Sequence, residues 1–573
     1  MSARISLLLI ITCLGLVFAG CGSSGSNDGP SGSTGGGSGN PSTGTINSVN
    51  HILVITQENR SFDHYFSQLP EYWQAHNYPQ ATNGTTLDVA PSSFSNADPS
   101  GTTVGTFNLH SACNENPSPS WNESHVDRNH EHPTDSDTPM DGFARAAGGD
   151  ARANGFYDIE GHRAMGYFTG DQLNYYYFLA SNFATSDRWF SPVMSRTQPN
   201  RMYLYGATSA GHAYPLNTSH SPQLSGKTIF ELMQDNNVSW KIYVHPDSSG
   251  CTSPHCLARF SYLNQWTYYQ YVLQNLANQF QPVSQLMSDI QNGTLPQVSF
   301  VEPAGYLGLD EHASDNDVPS ADAPDVQLGA KYIESIINAL MSSPSWKDTV
   351  LILTYDEFGG FYDHVPPQPA VAPDAMKFPT DLITSPPDIC LNDTSEAICG
   401  FNYTGYRLPL IVVSPFTKSN YVSHTVMDYT AILKFIETRF NLPSLTARDA
   451  AQPDMTEFFD FRNVPWATPP SNIPTQDTSM SCVLEALGAV SITPNPVSAG
   501  SAATVTLSLT KPALDNLTVA LSASSASVVP SRVPIASGAS SVQIPITVPS
   551  GITSLTVTGS IGGIPVSGTV TVQ

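Results

Sequence analysis

Glu58, Asn59, Asp356 and Glu357 all sit where apolar runs of the chain stop. The run His51–Thr56 leads through Gln57 into Glu58 and Asn59, and the run Thr349–Tyr355 leads directly into Asp356 and Glu357. Two strands of one sheet pointing the same way would bring both pairs to its carboxyl edge, where open α/β sheets bind ligands. Three carboxylates and an amide oxygen gathered there repel one another unless a cation sits among them. Oxygen donors suit a hard divalent ion, or an iron or zinc ion in a mixed site. Each pair alone has a plainer reading: Glu58 and Asn59 as a helix cap, Asp356 and Glu357 as the start of a turn before Gly359-Gly360. Their coincidence favours metal binding.

Ser195-Arg196-Thr197-Gln198-Pro199-Asn200-Arg201 adds a hydroxyl. Proline suits the first turn of a helix, and the stretch that follows is compatible with one. A hydroxyl at a helix N-terminus meets free backbone N–H groups and a dipole that favours phosphate. Metal coordination there lowers its pKa and makes it a nucleophile. The plain alternative is an ordinary N-cap.

The elements that must position these residues are legible as periodicity. Apolar runs recur at Val298–Val301, Thr349–Thr354 and Leu408–Val413, with helical patterns at Ala330–Met341 and Tyr429–Phe440 between or after them. Strands alternating with helices predict a parallel, doubly wound α/β sheet covered on both faces. The Asn/Ser/Pro/Asp-rich stretches 76–140 and 365–405 read as loops around a site.

The chain has 573 residues, 48 Asp+Glu against 23 Lys+Arg, and a formal net charge of −25. Its basic residues are too few and scattered to neutralise a polyphosphate backbone, so nucleic acid is not an expected partner. An anionic substrate then requires a metal ion or a local cluster of donors.

Arg4, the apolar stretch Ile5–Phe18 and Ala19-Gly20-Cys21 read as an export signal ending in a lipobox-like sequence, with residues 1–21 as leader. Cys21 would carry a lipid anchor, giving an exported lipoprotein at an outer membrane, cell surface or periplasm. Residues 22–47 are a Gly/Ser-rich linker. Six cysteines lie beyond the leader: Cys113, Cys251, Cys256, Cys390, Cys399 and Cys482. An even count in an exported chain favours disulfides; Cys251–Cys256 and Cys390–Cys399 are close in sequence, while spacing leaves the connectivity open. A catalytic domain is expected over 48–484. Residues 485–573 hold short alternating apolar runs and no Trp, Tyr, Phe or His, which predicts an immunoglobulin-like β-sandwich serving as spacer or adhesive module.

ENRSFDHYF (58–66), SRTQPNR (195–201), YDEFGGFYDHV (355–365) and the segment 408–440 together resemble the signature blocks of the phosphoesterase family of bacterial phospholipases C, plant non-specific phospholipases C and an acid phosphatase. The resemblance spans about residues 50–460. It implies an alkaline-phosphatase-like core and one divalent metal ion of open identity, held by Glu58, Asn59, Thr197, Asp356 and Glu357. It also implies that Thr197 is the nucleophile of a phosphothreonine intermediate. His312, in Asp310-Glu311-His312, and His125, in Trp121-Asn-Glu-Ser-His125, would contact the substrate phosphate with Asn59 and protonate the leaving group. Near Trp121 the chain departs from the family: Pro119 and Ser120 stand where relatives often carry a further histidine. The substrate class is a phosphate ester, either a phospholipid diester or a small phosphomonoester. A reading of another class is a surface adhesion protein with a vestigial catalytic domain.

Overall fold

A computed structural model describes residues 44–154, 156, 158–216, 223–245, 250–313, 325–392, 398–482, 486–513, 517–561 and 564–573. The export signal, the Cys21 anchor and most of the linker lie outside these residues. Central strands are β1 (His51–Gln57), β2 (Ala184–Ser186), β3 (Trp240–Val244), β4 (Phe280–Pro282), β5 (Val298–Val301), β6 (Thr349–Tyr355), β7 (Leu410–Val413) and β8 (Tyr421–Ser423). The helices that bear on the site are α1 (Phe62–Phe66), α2 (Trp121–Arg128), α3 (Asn174–Asn182), α4 (Thr197–Gly206), α5 (Val326–Met341) and α6 (Thr430–Phe440).

The eight strands form one mixed sheet in the order β8-β2-β7-β6-β1-β5-β3-β4. β1 lies between β5 and β6, parallel to both, and β6 is buried along its whole length. A strand enclosed on both faces has no polar side to show, hence the uninterrupted apolar runs. In register, Gln57 pairs with Tyr355, so Glu58 and Asp356 leave the sheet side by side. β7 corrects the all-parallel expectation: it runs antiparallel to β6, with Leu351 opposite Val413. The chain leaves β6 into the excursion 356–409 and re-enters from the same edge, a wide hairpin rather than a helical crossover.

α5 begins earlier than its apolar stripe because Asp325 caps it, accepting from the N–H groups of Gln327 (2.7 Å) and Leu328 (3.0 Å). Ile333, Ile336, Ile337 and Leu340 are fully buried on its inner face, each burial worth about 1.5–3 kcal/mol. The stretch 76–140 is more structured than a loop, holding short strands and α2. Three disulfides join Cys113–Cys482, Cys251–Cys256 and Cys390–Cys399.

Beyond residue 486 the chain is all β. Strands β9 (Leu487–Thr493), β10 (Ala502–Leu509), β11 (Leu517–Ala523), β12 (Arg532–Ile535), β13 (Ser541–Thr547), β14 (Ser554–Ile561) and β15 (Ile564–Thr571) form a three-stranded sheet, β9-β10-β13, and a four-stranded sheet, β12-β11-β14-β15. β10 and β14 alternate buried and less buried residues, the period-two pattern of half-buried strands. Val505, Leu507, Val519, Leu555 and Val557 belong to one apolar core distinct from that of the larger sheet. Arg532 of β12 pairs with the buried carboxylate of Glu160 at 2.6 Å.

Candidate active site

Asn59 takes a left-handed backbone conformation (φ 64°), which asparagine tolerates better than most side chains. The turn it makes draws its N–H to Asp356 Oδ1 at 3.2 Å. Asp356 in turn donates its own N–H to Gln57 O at 3.1 Å. Gly359 completes the close approach: a Cβ there would lie 2.3 Å from Asn59 O, and its φ is +73°. Its N–H donates to Glu357 Oε2 at 2.6 Å. The expected meeting of the two pairs at one sheet edge is therefore what the fold produces.

Thr197 is the first residue of α4, and Arg196 rather than Thr197 is the N-cap. Its half-buried hydroxyl lies 3.4 Å from Asn59 Oδ1. Free N–H groups of the first helical turn surround such a position. One turn on, the fully buried Arg201 reaches back between the two pairs. Its Nε donates to Asp356 Oδ2 (3.3 Å), and its Nη2 to Glu58 Oε1 (3.1 Å) and Thr56 O (3.2 Å). Tyr262 lies under the guanidinium, ring centroid 4.6 Å away, and donates its hydroxyl to Glu58 Oε1 at 3.1 Å. Arg201 and Tyr262 were not singled out from the sequence. The signal for Arg201 was its spacing of four from Thr197, which puts both on one helix face.

Burial pushes Glu58 upward against the pull of Arg201. It raises Asp356 to about 6 despite the same arginine. Glu357 is driven well above the carboxylate range by burial and then by the charge of Asp356. The Arg201 guanidinium thus pairs with two of the three buried carboxylates, and Glu357 Oε1 is buried with no hydrogen-bond partner. Buried polar atoms are nearly always paired, and a buried excess of negative charge is stable only when neutralised. The donor set Glu58, Asn59, Thr197, Asp356 and Glu357 fits a hard divalent cation.

A second acidic group, Asp63, Asp363 and His364, has ligand atoms within 4.8 Å of one another. Its cationic place is already filled. Arg407 donates through Nε to both Asp363 oxygens (2.9 and 3.1 Å) and lies 3.1 Å from Asp63 Oδ2. His364 bridges Asp63 Oδ2 (2.6 Å) and Asp88 Oδ1 (3.0 Å).

The predicted histidines divide. His312 is half-buried beside Asp310, whose Oδ1 accepts its backbone N–H at 3.3 Å; Nδ1 bonds Ala313 O. A proton on its ring would act on Glu58, Asp310 and Asp356, which puts it within electrostatic reach of the carboxylate cluster. His125 is fully buried on α2 with Nδ1 bonded to Trp121 O at 2.7 Å. Among the described residues no hydrogen bond joins it to Thr197, Glu58, Asn59, Asp356 or Glu357. Burial lowers its pKa to about 4, so at neutral pH it is the uncharged imidazole rather than a proton donor of acid strength.

A cavity of about 580 Å³ opens beside Glu58 and Gln198, walled in part by Phe260, Tyr262, Tyr306 and Asp310. Its size is that of a small-molecule site.

Comparison with known proteins gives this arrangement a family. The chain is 31% identical over 464 residues to phospholipase C B of Mycobacterium tuberculosis, covering 75% of this chain and 81% of that one. It is 30% identical over 463 residues to the non-hemolytic phospholipase C of Burkholderia pseudomallei, covering 73% and 60%. It is 28% identical over 450 residues to non-specific phospholipase C1 of Arabidopsis thaliana, covering 75% of each. Since the phosphoesterase family model matches residues 49–443, which include both carboxylate pairs, Thr197 and His312, the chain belongs to the phosphoesterase family and is a hydrolase of phosphoric esters.

Proposed function

We propose that this hydrolase is a metal-dependent phospholipase C-like phosphodiesterase in which Thr197 is the nucleophile. The observation that carries the reading is the seat of Thr197 at the start of α4, its hydroxyl 3.4 Å from Asn59 Oδ1. Glu58, Asn59, Thr197, Asp356 and Glu357 would hold one divalent cation, which when bound lowers the pKa of a coordinated hydroxyl and offsets phosphate charge. Phosphate oxygens would sit against the first N–H groups of α4, with Asn59 and His312 contacting them. The Thr197 oxygen, its proton released to solvent, attacks phosphorus in line; the Oγ–P bond forms as the bond to the leaving oxygen breaks. His312 gives that oxygen its proton. Water then attacks phosphorus, passing a proton to the now neutral His312; the Oγ–P bond breaks, and Thr197 takes a proton back from solvent as the phosphate product leaves. His125, bonded through Nδ1 to Trp121 O, would be the second histidine at the phosphate or the leaving group.

The names of the relatives support a phospholipid diester as substrate. A second reading, an acid phosphatase acting on phosphomonoesters, is supported by the cavity beside Glu58, whose walls mix aromatic rings with carboxylate and amide groups rather than forming an apolar slot. We further infer an exported lipoprotein anchored through Cys21 at the outer membrane or cell surface. In the same reading the 48–484 catalytic domain has an alkaline-phosphatase-like core, and 485–573 is an immunoglobulin-like sandwich.

The test is turnover of p-nitrophenyl phosphate and p-nitrophenylphosphorylcholine by the wild type and Thr197→Ala, from pH 5 to 8, with and without chelator. Loss of a nucleophile that works with its cation is expected to lower kcat by at least about 10³-fold. Retained turnover in the variant would remove Thr197 from the mechanism, and the preferred ester separates the two substrate readings.

A further inference from the structure

Glu311 has more hydrogen-bond donors aimed at it than any catalytic carboxylate described above, although it touches none of the reacting groups. It is fully buried. Oε1 accepts from Tyr176 OH (2.5 Å) and Gln57 Nε2 (3.1 Å); Oε2 accepts from Tyr355 OH (2.6 Å) and Tyr65 OH (2.7 Å). These donors come from α3, the end of β1, the end of β6 and α1. The backbone at Glu311 is left-handed, φ 69°, a conformation glutamate rarely adopts. Its carbonyl is gripped by Arg60 through Nε (2.8 Å) and Nη2 (2.5 Å). α5 closes the remaining side: a Cβ on Gly329 would lie 2.3 Å from Glu311 Cγ.

Two of the four carboxylate donors, and the arginine on the carbonyl, are chain neighbours of the proposed cation ligands. Gln57 precedes Glu58, Tyr355 precedes Asp356, and Arg60 follows Asn59. The backbone joins the same partners, with Glu58 N–H donating to Asp310 O at 2.9 Å and Gln57 Nε2 to Leu309 O at 2.9 Å. A strained backbone over-determined on every side is where a fold fixes functional geometry.

We propose that Glu311 is a positioning residue whose carboxylate, clamped by Tyr65, Tyr176, Tyr355 and Gln57, sets the loop bearing His312 against the strand ends bearing Glu58 and Asp356. The inference rests on the reading of His312 as the group that protonates the leaving oxygen. Its reach is wider than one contact: the clamp measures the distance between the acid and the nucleophile's cation site. A shift of the loop misplaces the proton donor while leaving the phosphate seat at α4 in place.

Leaving-group dependence separates positioning from general structural damage, because a proton donor matters for a poor leaving group and little for a good one. The full chain, as wild type, Glu311→Gln, Tyr176→Phe and His312→Ala, is assayed on paired p-nitrophenyl and phenyl esters of the phosphate class the wild type turns over best. A general acid contributes about 10²–10⁴-fold. His312→Ala is therefore expected to lose at least about 100-fold more kcat on the phenyl than on the p-nitrophenyl ester. Glu311→Gln should show the same selective loss at about 10-fold and Tyr176→Phe at about 3-fold, with KM little changed. Should Glu311→Gln fail to fold, Tyr176→Phe carries the test. Equal losses on both esters, or none, in the folded clamp variants while His312→Ala remains selective would overturn the positioning role alone. A His312→Ala variant with no leaving-group selectivity would overturn the acid reading and the clamp with it.

Discussion

Two acidic clusters in this molecule are built from the same two chain segments, 58–64 and 356–364, and each contains a fully buried arginine. Around Arg407, Asp63 and Asp363 are saturated. Asp63 accepts from Ala90 N–H (3.0 Å) and from His364 N–H (2.8 Å) and Nδ1 (2.6 Å), and Asp363 accepts from Val365 N–H (2.8 Å) besides the guanidinium. Around Arg201 the count falls short: the guanidinium pairs with Glu58 and Asp356, and Glu357 Oε1 has no hydrogen-bond partner. The electrostatics set Asp63 apart. It ends below its usual range although burial raises it, because Arg407 and His364 overcome that cost, whereas burial lifts Asp363 beside the same arginine to about 7. Glu58, Asp356 and Glu357 all stay raised. The first cluster has its cation as folded and ties the two segments together; the second is the one proposed to take a further cation. Geometric proximity of acidic groups alone points to the first.

Removing the arginine from the saturated cluster sharpens the contrast most. Arg407→Ala leaves buried Asp363 uncompensated and Asp63 with His364 as its remaining cationic partner, and is expected to cost about 3–5 kcal/mol, read as a large fall in Tm or in denaturation midpoint. Little change in stability would mean that this cluster does not hold the segments together.

The next effect belongs to the unsaturated cluster. Adding a divalent cation to chelator-treated protein should raise Tm, by an amount equivalent to about 2.7 kcal/mol at a hundredfold excess over Kd. Glu357→Gln should abolish most of that rise, whereas Asp363→Asn should retain it. A cation response lost in Asp363→Asn and kept in Glu357→Gln would exchange the roles of the two clusters.

A smaller, graded effect is the pH dependence of cation binding. Asp356 is raised to about 6, so below that pH a cation must displace a proton before Asp356 can bind it. Affinity should be nearly flat above pH 6 for this group and fall as pH drops through 6, approaching about tenfold per pH unit for one displaced proton. Titration calorimetry in buffers of different ionisation enthalpy reads the released proton directly; a pH-independent affinity between 5 and 7 would contradict the assignment.

Much of this site was legible because it lies where sequence patterns are strongest. β1 and β6 are continuous apolar runs, and the residues that follow them are the proposed ligands; nothing beyond strand direction was needed to bring Glu58 and Asp356 together. Strand direction failed only at β7, because the polar excursion 356–409 says nothing about the edge from which the chain returns. Arg201 was in view as part of a motif, but its task of bridging two carboxylates depends on tertiary distance. Glu311 was quoted only as the middle of Asp310-Glu311-His312; its clamp comes from residues 57, 65, 176 and 355, whose convergence no local spacing encodes. His125 shows the reverse: the motif was visible, while the complete burial of its imidazole was not.

The most direct test is a rapid-quench experiment with a fast-reacting aryl phosphate ester at acidic pH, followed by peptide mass spectrometry of the protein. Phosphate on Thr197, formed within the first turnover and lost by hydrolysis as the substrate is exhausted, is the predicted result. A product burst with no phosphorylated peptide, or with phosphate on another residue, would contradict the threonine mechanism.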